Sequence, residues 1–145
     1  MTVDEKKKVL KSYRLLEEEK EHFLDQLLYW KNKAEKVGSS IITPKHGGIG
    51  NQLDGMGNQL ERAIDKYMEA EQKYYQRVVE VDEILNDIEA SIDELEDDTL
   101  RVLLRHRYID GMKWEEIAVK MHHGWSYIYE LHSKALLLIK LKSTE

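Results

Sequence analysis

The stretch RYIDGMKWEEIAVKMHHGWSYIYELHSKALLLIK, Arg107 to Lys140, decides the fold. Two sharp breaks, Asp110-Gly111 and His122-His123-Gly124, interrupt apolar-periodic sequence, so it reads as short helices joined by tight turns. Just upstream, Leu100, Leu103, Leu104 and Tyr108 form one apolar stripe. Asp97 or Asp98 can cap the first turn of that helix, and Gly111 suits a left-handed position at its end. The middle piece, KWEEIAVKM, turns Trp114, Ile117, Ala118 and Met121 to one side, and the small Ala118 lets a following helix cross closely. The last piece, WSYIYELHSKALLLIK, is expected to bury Ile128, Leu131, Ala135 and Leu138. A helix, a turn of three or four residues and a second helix, with an Ile-Ala pair in the first, is helix-turn-helix spacing.

Before this module the sequence has a longer period. Val9, Tyr13, Leu16, Lys20, Phe23, Leu27, Trp30, Ala34 and Val37 follow alternating steps of four and three, the seam of a coiled-coil helix over residues 3–37. A second seam, Leu60, Ile64, Tyr67, Glu71, Tyr74, Val78, Val81, Leu85, Ile88, Ile92 and Leu95, predicts a helix over 58–97. Between them, residues 38–57 hold six of the eight glycines and the single proline, Pro44, and read as a connector. GGIG within it lacks the following Lys-Ser/Thr and the preceding strand of a phosphate-cradling loop. Two such helices fold back most simply as an antiparallel hairpin, whereas pairing with a second copy would give a homo-oligomer; both satisfy the pattern. Lys20 and Glu71 are the charged seam positions, expected to limit register. The expected organisation is therefore a coiled-coil arm, residues 1–97, and a three-helix module, residues 98–145. The fold class is all-α.

Composition bounds the chemistry. The 145 residues carry 34% charged side chains and no cysteine, which excludes disulfides and thiolate metal sites and favours an intracellular, cytoplasmic address. The start, MTVDEKKKVLKSYRLLEEEK, is too charged for a secretory signal, and the longest apolar run, Ala135 to Ile139, is too short to span a bilayer, so no membrane partner is expected. The net charge of −6 is uneven: residues 99–142 have eight Lys/Arg against four acids, while residues 1–98 carry −9. A basic end on an acidic arm points that end toward an anionic partner. The carboxylates of DEILNDIEASIDELEDD fit the solvated flank of a coiled coil better than a metal site. His106, His122, His123 and His132 stand at no ligand spacing, and no nucleophile–base arrangement can be assembled, so neither cofactor nor enzymatic activity is expected.

LLRHRYIDGMKWEEIAVKM together with IYELHSKALLLIK resembles region 4 of the sigma-70 class, the part that binds the −35 promoter element. The whole chain resembles small phage and prophage proteins known as sigma-like helix-turn-helix transcriptional regulators. In those, an N-terminal coiled coil and a Pro/Gly connector with an Asp-x-Met element (here Asp54-Gly55-Met56) precede the same module. The late-transcription activators of Gram-positive phages are similar in plan. The resemblance is specific from Arg107 to Leu136 and loose before residue 40. It implies a protein of the bacterial cytoplasm that binds double-stranded promoter DNA, with host RNA polymerase as the expected partner. The second helix of the motif would enter the major groove, where its N-terminal face reads base edges.

In sigma region 4 the positions matching Trp125, Ser126 and Glu130 read bases, typically as Arg, Glu and Gln; this chain departs at all three. Trp125 and Tyr127 can pack on sugar or thymine methyls, Ser126 can donate or accept, and Glu130 can accept from cytosine. Tyr129 could face DNA or the core. Lys134 would grip phosphate, as would Arg101, Arg105, Arg107, Lys113 and Lys120. Gly124 stands where that family usually has a capping Ser or Thr.

Two rival functions fit parts of the sequence. A polymerase-binding appropriator or inhibitor without specific DNA binding would explain Glu130 and the missing base-reading arginine. A small terminase-like packaging protein would also combine this motif with a coiled coil, although such proteins usually place the DNA module first.

Overall fold

The computed structural model describes residues 1–42 and 49–142, the side chains of 40–42 and 49–57 excepted. Its described residues form five helices and no strand: α1 (Val3–Ile42), α2 (Ile49–Asp93), α3 (Asp98–Leu104, continuing as a π-helical turn over Arg105–Ile109), α4 (Trp114–Lys120) and α5 (Trp125–Leu138). The N-terminal pair forms a long helical hairpin. The expected connector, 38–57, is thus helical up to Ile42 and again from Ile49; its centre, residues 43–48, lies outside the described residues, as do the side chains of Asp54-Gly55-Met56. Helix α2 stops at Asp93, four residues earlier than expected.

Two compact units make up the chain: Met1–Glu18 with Val81–Glu145, and Glu19–Glu80. Core composition explains why they do not divide at 97/98. Leu10 and Tyr13 of α1, with Val81, Leu85, Ile88 and Ile92 of α2, share one buried cluster with Leu100, Leu103, Leu104, Tyr108, Ile117, Ile128, Leu131, Ala135 and Ile139. The beginning of α1 and the end of α2 therefore belong to the core of the C-terminal helices.

In the second unit, α1 and α2 run antiparallel. Phe23 stacks on Tyr74 with centroids 4.9 Å apart, and the Arg77 guanidinium donates to Glu19 at 2.9 Å. All nine predicted seam residues of α1 are buried or half-buried. On α2 the seam departs from the expectation. Ala63 and Ala70 are buried, whereas Ile64 and Glu71, one residue on, are exposed. The buried positions run Ala63, Tyr67, Ala70, Tyr74, Val78 and Val81, with two successive steps of four after Ala70. Such a stutter locally unwinds a heptad helix and absorbs the one-residue offset from the strict alternation read in sequence. Small alanines also leave room for the aromatic rings of α1. Glu71 thus lies outside the seam, whereas Lys20 lies half-buried within it.

The first unit is closed by its turns. Asp97 caps α3, its carboxylate accepting from the Thr99 and Leu100 amides, while Arg101 donates to the carbonyls of Leu95 and Glu96 and pairs with Asp98. Gly111 has φ +71°, so its conformation favours glycine, and a Cβ there would meet Arg14 Nε at 2.5 Å and displace that flexible side chain. Arg14 itself donates to Ile109 O at 2.9 Å. After α4, His122 takes φ +57°, its amide donating to Val119 O (3.2 Å), while the His123 amide donates to Ala118 O (3.0 Å). These two bonds form a Schellman motif with histidine where glycine is usual.

In α5, Ile128, Leu131 and Ala135 are buried as expected, but Leu138 is exposed and Leu136 and Ile139 are buried instead. The helix ends at Leu138, and the extended Ile139 (ψ 136°) folds back into the core.

A left-handed conformation costs a non-glycine residue roughly 1–2 kcal/mol. We predict that His122→Gly stabilises the protein by about 1 kcal/mol, read as a higher urea midpoint, whereas His122→Val lowers it.

Candidate functional site

The N-terminal half of α5 faces outward. Of its first six residues, 125–130, only Ile128 is buried; Trp125, Tyr127 and Tyr129 are 46%, 47% and 44% exposed. Gly124 makes the N-cap with extended backbone and no side-chain bond, and a Cβ there would meet nothing within 4 Å. The helix start therefore keeps its free amides.

The aromatic residues divide by flank. Trp125 lies 5.6 Å from Tyr129, which lies 5.4 Å from Trp114 at the start of α4, and Trp114 meets the His132 ring edge-on at 4.7 Å. Arg107 stacks its guanidinium 4.6 Å from the Trp114 centroid and donates to Met112 O at 3.0 Å. Trp125 and Tyr129 thus form the rim of an aromatic cluster joining α4 and α5. Tyr127, on the other flank, contacts His123 edge-on at 4.7 Å. Ser126, Glu130 and Ser133 are exposed between these flanks, at helical spacing that makes one outward row.

The cations fall into two groups. Arg101 holds the α2–α3 turn, Arg105 pairs with Asp93 and Arg107 holds Trp114 and the Met112 carbonyl, so these three guanidinium groups already bind protein acceptors. Asp93 raises the pKa of Arg105 through their hydrogen bond. Lys113 and Lys120, at the two ends of α4, are exposed and make no ion pair with the described residues. Lys134 is exposed too, but it lines a cleft of about 370 Å³ together with Glu94, Glu96, Asp97 and Lys140. It is thereby set apart from Lys113 and Lys120 by its acidic neighbours.

Sequence reasoning assigned the lysines of α1 to the arm, yet the fold brings them to this module. Lys6 Nζ donates to Leu136 O at 3.0 Å, capping the end of α5. Lys7 and Lys11 lie close enough to His132 to depress its pKa, and Lys11, Arg14 and Arg107 line one open cleft of about 230 Å³. The run of lysines at 6–8 was the available signal, obscured because the heptad pattern assigned the whole segment to a coiled coil.

His132, one of the four histidines that stand at no ligand spacing, is buried at 5% exposure. Its Nε2 lies 2.6 Å from the Tyr108 hydroxyl, in a hydrogen bond whose direction follows the imidazole tautomer. Burial, then the charges of Lys7, Arg107 and Lys11, lower its pKa to about 4, and burial pushes the Tyr108 hydroxyl up to about 12. The pair is therefore neutral and structural near neutral pH.

A histidine whose folded pKa is about 4 against 6.5 unfolded takes up its proton more readily when unfolded. Its contribution to stability is present above pH 6.5 and lost as pH falls toward 4, up to about 3 kcal/mol at roughly 1.4 kcal/mol per unit. Urea midpoints between pH 7.5 and 4.5 should fall more steeply for the wild type than for His132→Gln; parallel curves would refute this assignment. Comparison of the chain with protein-family models, curated proteins and solved structures finds no match.

Proposed function

We propose that α4 and α5 form a helix-turn-helix that binds promoter DNA, in a phage or prophage transcriptional regulator acting with host RNA polymerase. The observation that carries the reading is the outward face of α5: five of its first six side chains are unburied, around a helix start with uncapped amides. An exposed N-terminal face following a tight turn is what insertion into a major groove requires. The resemblance of Arg107 to Leu136 to sigma region 4 supports the same assignment.

The contacts divide by chemistry. Ser126, Tyr127 and Glu130 are the base-facing side chains, with Trp125 and Tyr129 as an apolar edge against sugar and thymine methyls. Lys113 and Lys120, with Lys7 and Lys11, supply phosphate contacts. Arg101, Arg105 and Arg107 instead build the scaffold, and Lys134 is secondary. One observation favours the rival reading, a polymerase-binding protein without specific DNA affinity: Glu130 stands in the middle of the outward row, where it repels phosphate.

Fluorescence anisotropy across a salt series, on the DNA upstream of the genes adjoining this one and on scrambled duplex, separates the two. For the DNA reader, Lys113→Gln with Lys120→Gln weakens binding equally on both duplexes and lowers the salt slope by about 0.9 per lost phosphate contact. Ser126→Ala with Tyr127→Ala removes the difference between duplexes. Polymerase capture by a wild-type protein that binds neither duplex would establish the rival.

A further inference from the structure

The hairpin carries a basic groove that its overall acidity conceals. Trp30, Lys33 and Val37 of α1 face Arg62, Ala63 and Lys66 of α2 across an open groove of about 470 Å³ that Gln59 completes. Three of the seven lining residues are cations and none is an acid. Lys33 Nζ stands 5.1 Å over the Trp30 ring and 5.9 Å over Tyr29, and neither Lys33 nor Arg62 makes an ion pair with the described residues. Among the described residues Lys66 meets Glu69, at 3.5 Å with both side chains more than half exposed, a contact that solvent screens and a stronger anion displaces.

The cations also form a line. Arg62 and Lys66 are one helical turn apart; Lys73, two turns farther on, shares their face beyond Glu69 and lies 5.2 Å over the Tyr74 ring. Arg77 would extend the row, but Glu19 binds it. A compact anion would need an enclosed pocket with convergent donors. An open groove with cations on both walls and none of its lining residues acidic fits a linear anion with repeating charge.

We propose that this groove binds the sugar–phosphate backbone of nucleic acid, as a second contact surface on the hairpin separate from α5. Arg62 and Lys66 pair with successive phosphates, Lys33 closes the opposite wall, and Trp30 with Tyr29 offers aromatic surface to sugar or an unstacked base. The contact is independent of sequence where Lys33, Arg62 and Lys66 engage phosphates, which carry no base identity. The choice of duplex DNA as ligand rests on the function proposed for α5.

The test uses the full chain and a random-sequence duplex, with anisotropy across a salt series and nuclear magnetic resonance of the tryptophan indoles. Of the three tryptophans, only Trp30 lies in the unit Glu19–Glu80. Arg62→Gln with Lys66→Gln changes exposed side chains, so circular dichroism should match the wild type. The expected result is about tenfold weaker binding at low salt and a salt slope lower by roughly 1.8, with the Trp30 indole resonance shifting on addition of duplex to wild type but not to the variant. Unchanged affinity, slope and Trp30 resonance would overturn the groove; if Lys113→Gln with Lys120→Gln still weakens binding, the function proposed for α5 survives. Loss in the groove variant with no effect of Lys113→Gln with Lys120→Gln would leave the groove standing and remove the α5 reading. A wild-type chain that binds no duplex would overturn both.

Discussion

Four side chains of α1 attach the C-terminal helices to the beginning of the chain. Leu10 and Tyr13 enter the shared core, Lys6 caps α5 and Arg14 covers the turn at Gly111 while holding the Ile109 carbonyl. The rest of this unit depends on that attachment. Without Arg14 the turn between α3 and α4 loses the group that fixes its exit, and α4 sets where α5 can lie. The Tyr13 hydroxyl, donating to Glu89 at 2.8 Å, ties the same stretch of α1 to α2, and burial with the nearby carboxylates raises its pKa further. A module of three short helices would have a thin core alone; α1 and α2 supply its remaining walls.

Much of this was legible in sequence, because periodicity reports burial directly. The α1 seam, the stripe Leu100, Leu103, Leu104 and Tyr108, the Asp97 cap and the left-handed Gly111 follow from local rules that tertiary structure did not override. Three things were not legible. The α2 seam was misassigned at Ile64 and Glu71 because a stutter and a strict heptad both place Tyr67 and Tyr74 inside; only the partner helix shows that alanine fills the gap. Leu138 was assigned to the core because the end of α5 has no stop signal, and an extended Ile139 is fixed by packing. The burial of His132 was not legible because a buried imidazole requires a partner, and Tyr108 lies twenty-four residues away.

The candidate site was less legible than the fold, for a related reason. A sequence shows that a residue is cationic, not whether its charge is already satisfied. Arg101, Arg105 and Arg107 looked like phosphate contacts by their number and position, yet each is bound to a carbonyl, a carboxylate or an indole face. Arginine is suited to such tasks by its planar fork of donors, while lysine is more often left hydrated. Among the described residues, the unpaired cations of both units are, apart from Arg62, lysines.

Charge, read by position in the fold, then decides which side of α5 can meet an anion. Residues 81–98 contain nine acids and no Lys or Arg, so the −9 of the first 98 residues is concentrated in one stretch at the end of α2. Asp87, Glu89, Asp93, Asp97 and Asp98 are occupied by Lys142, Tyr13, Arg105, the α3 amides and Arg101. Glu94 and Glu96 remain exposed, in the cleft that holds Lys134. A phosphate approaching that flank of α5 meets carboxylates as well as lysine. The opposite flank offers Trp125 and Tyr129, with Lys7 and Lys11 beside His132 and no acid among the residues that perturb it. On the function proposed for α5, an anionic partner is steered toward the α1 side, and Glu130 between the two flanks penalises any approach that does not align a hydrogen-bond donor with it.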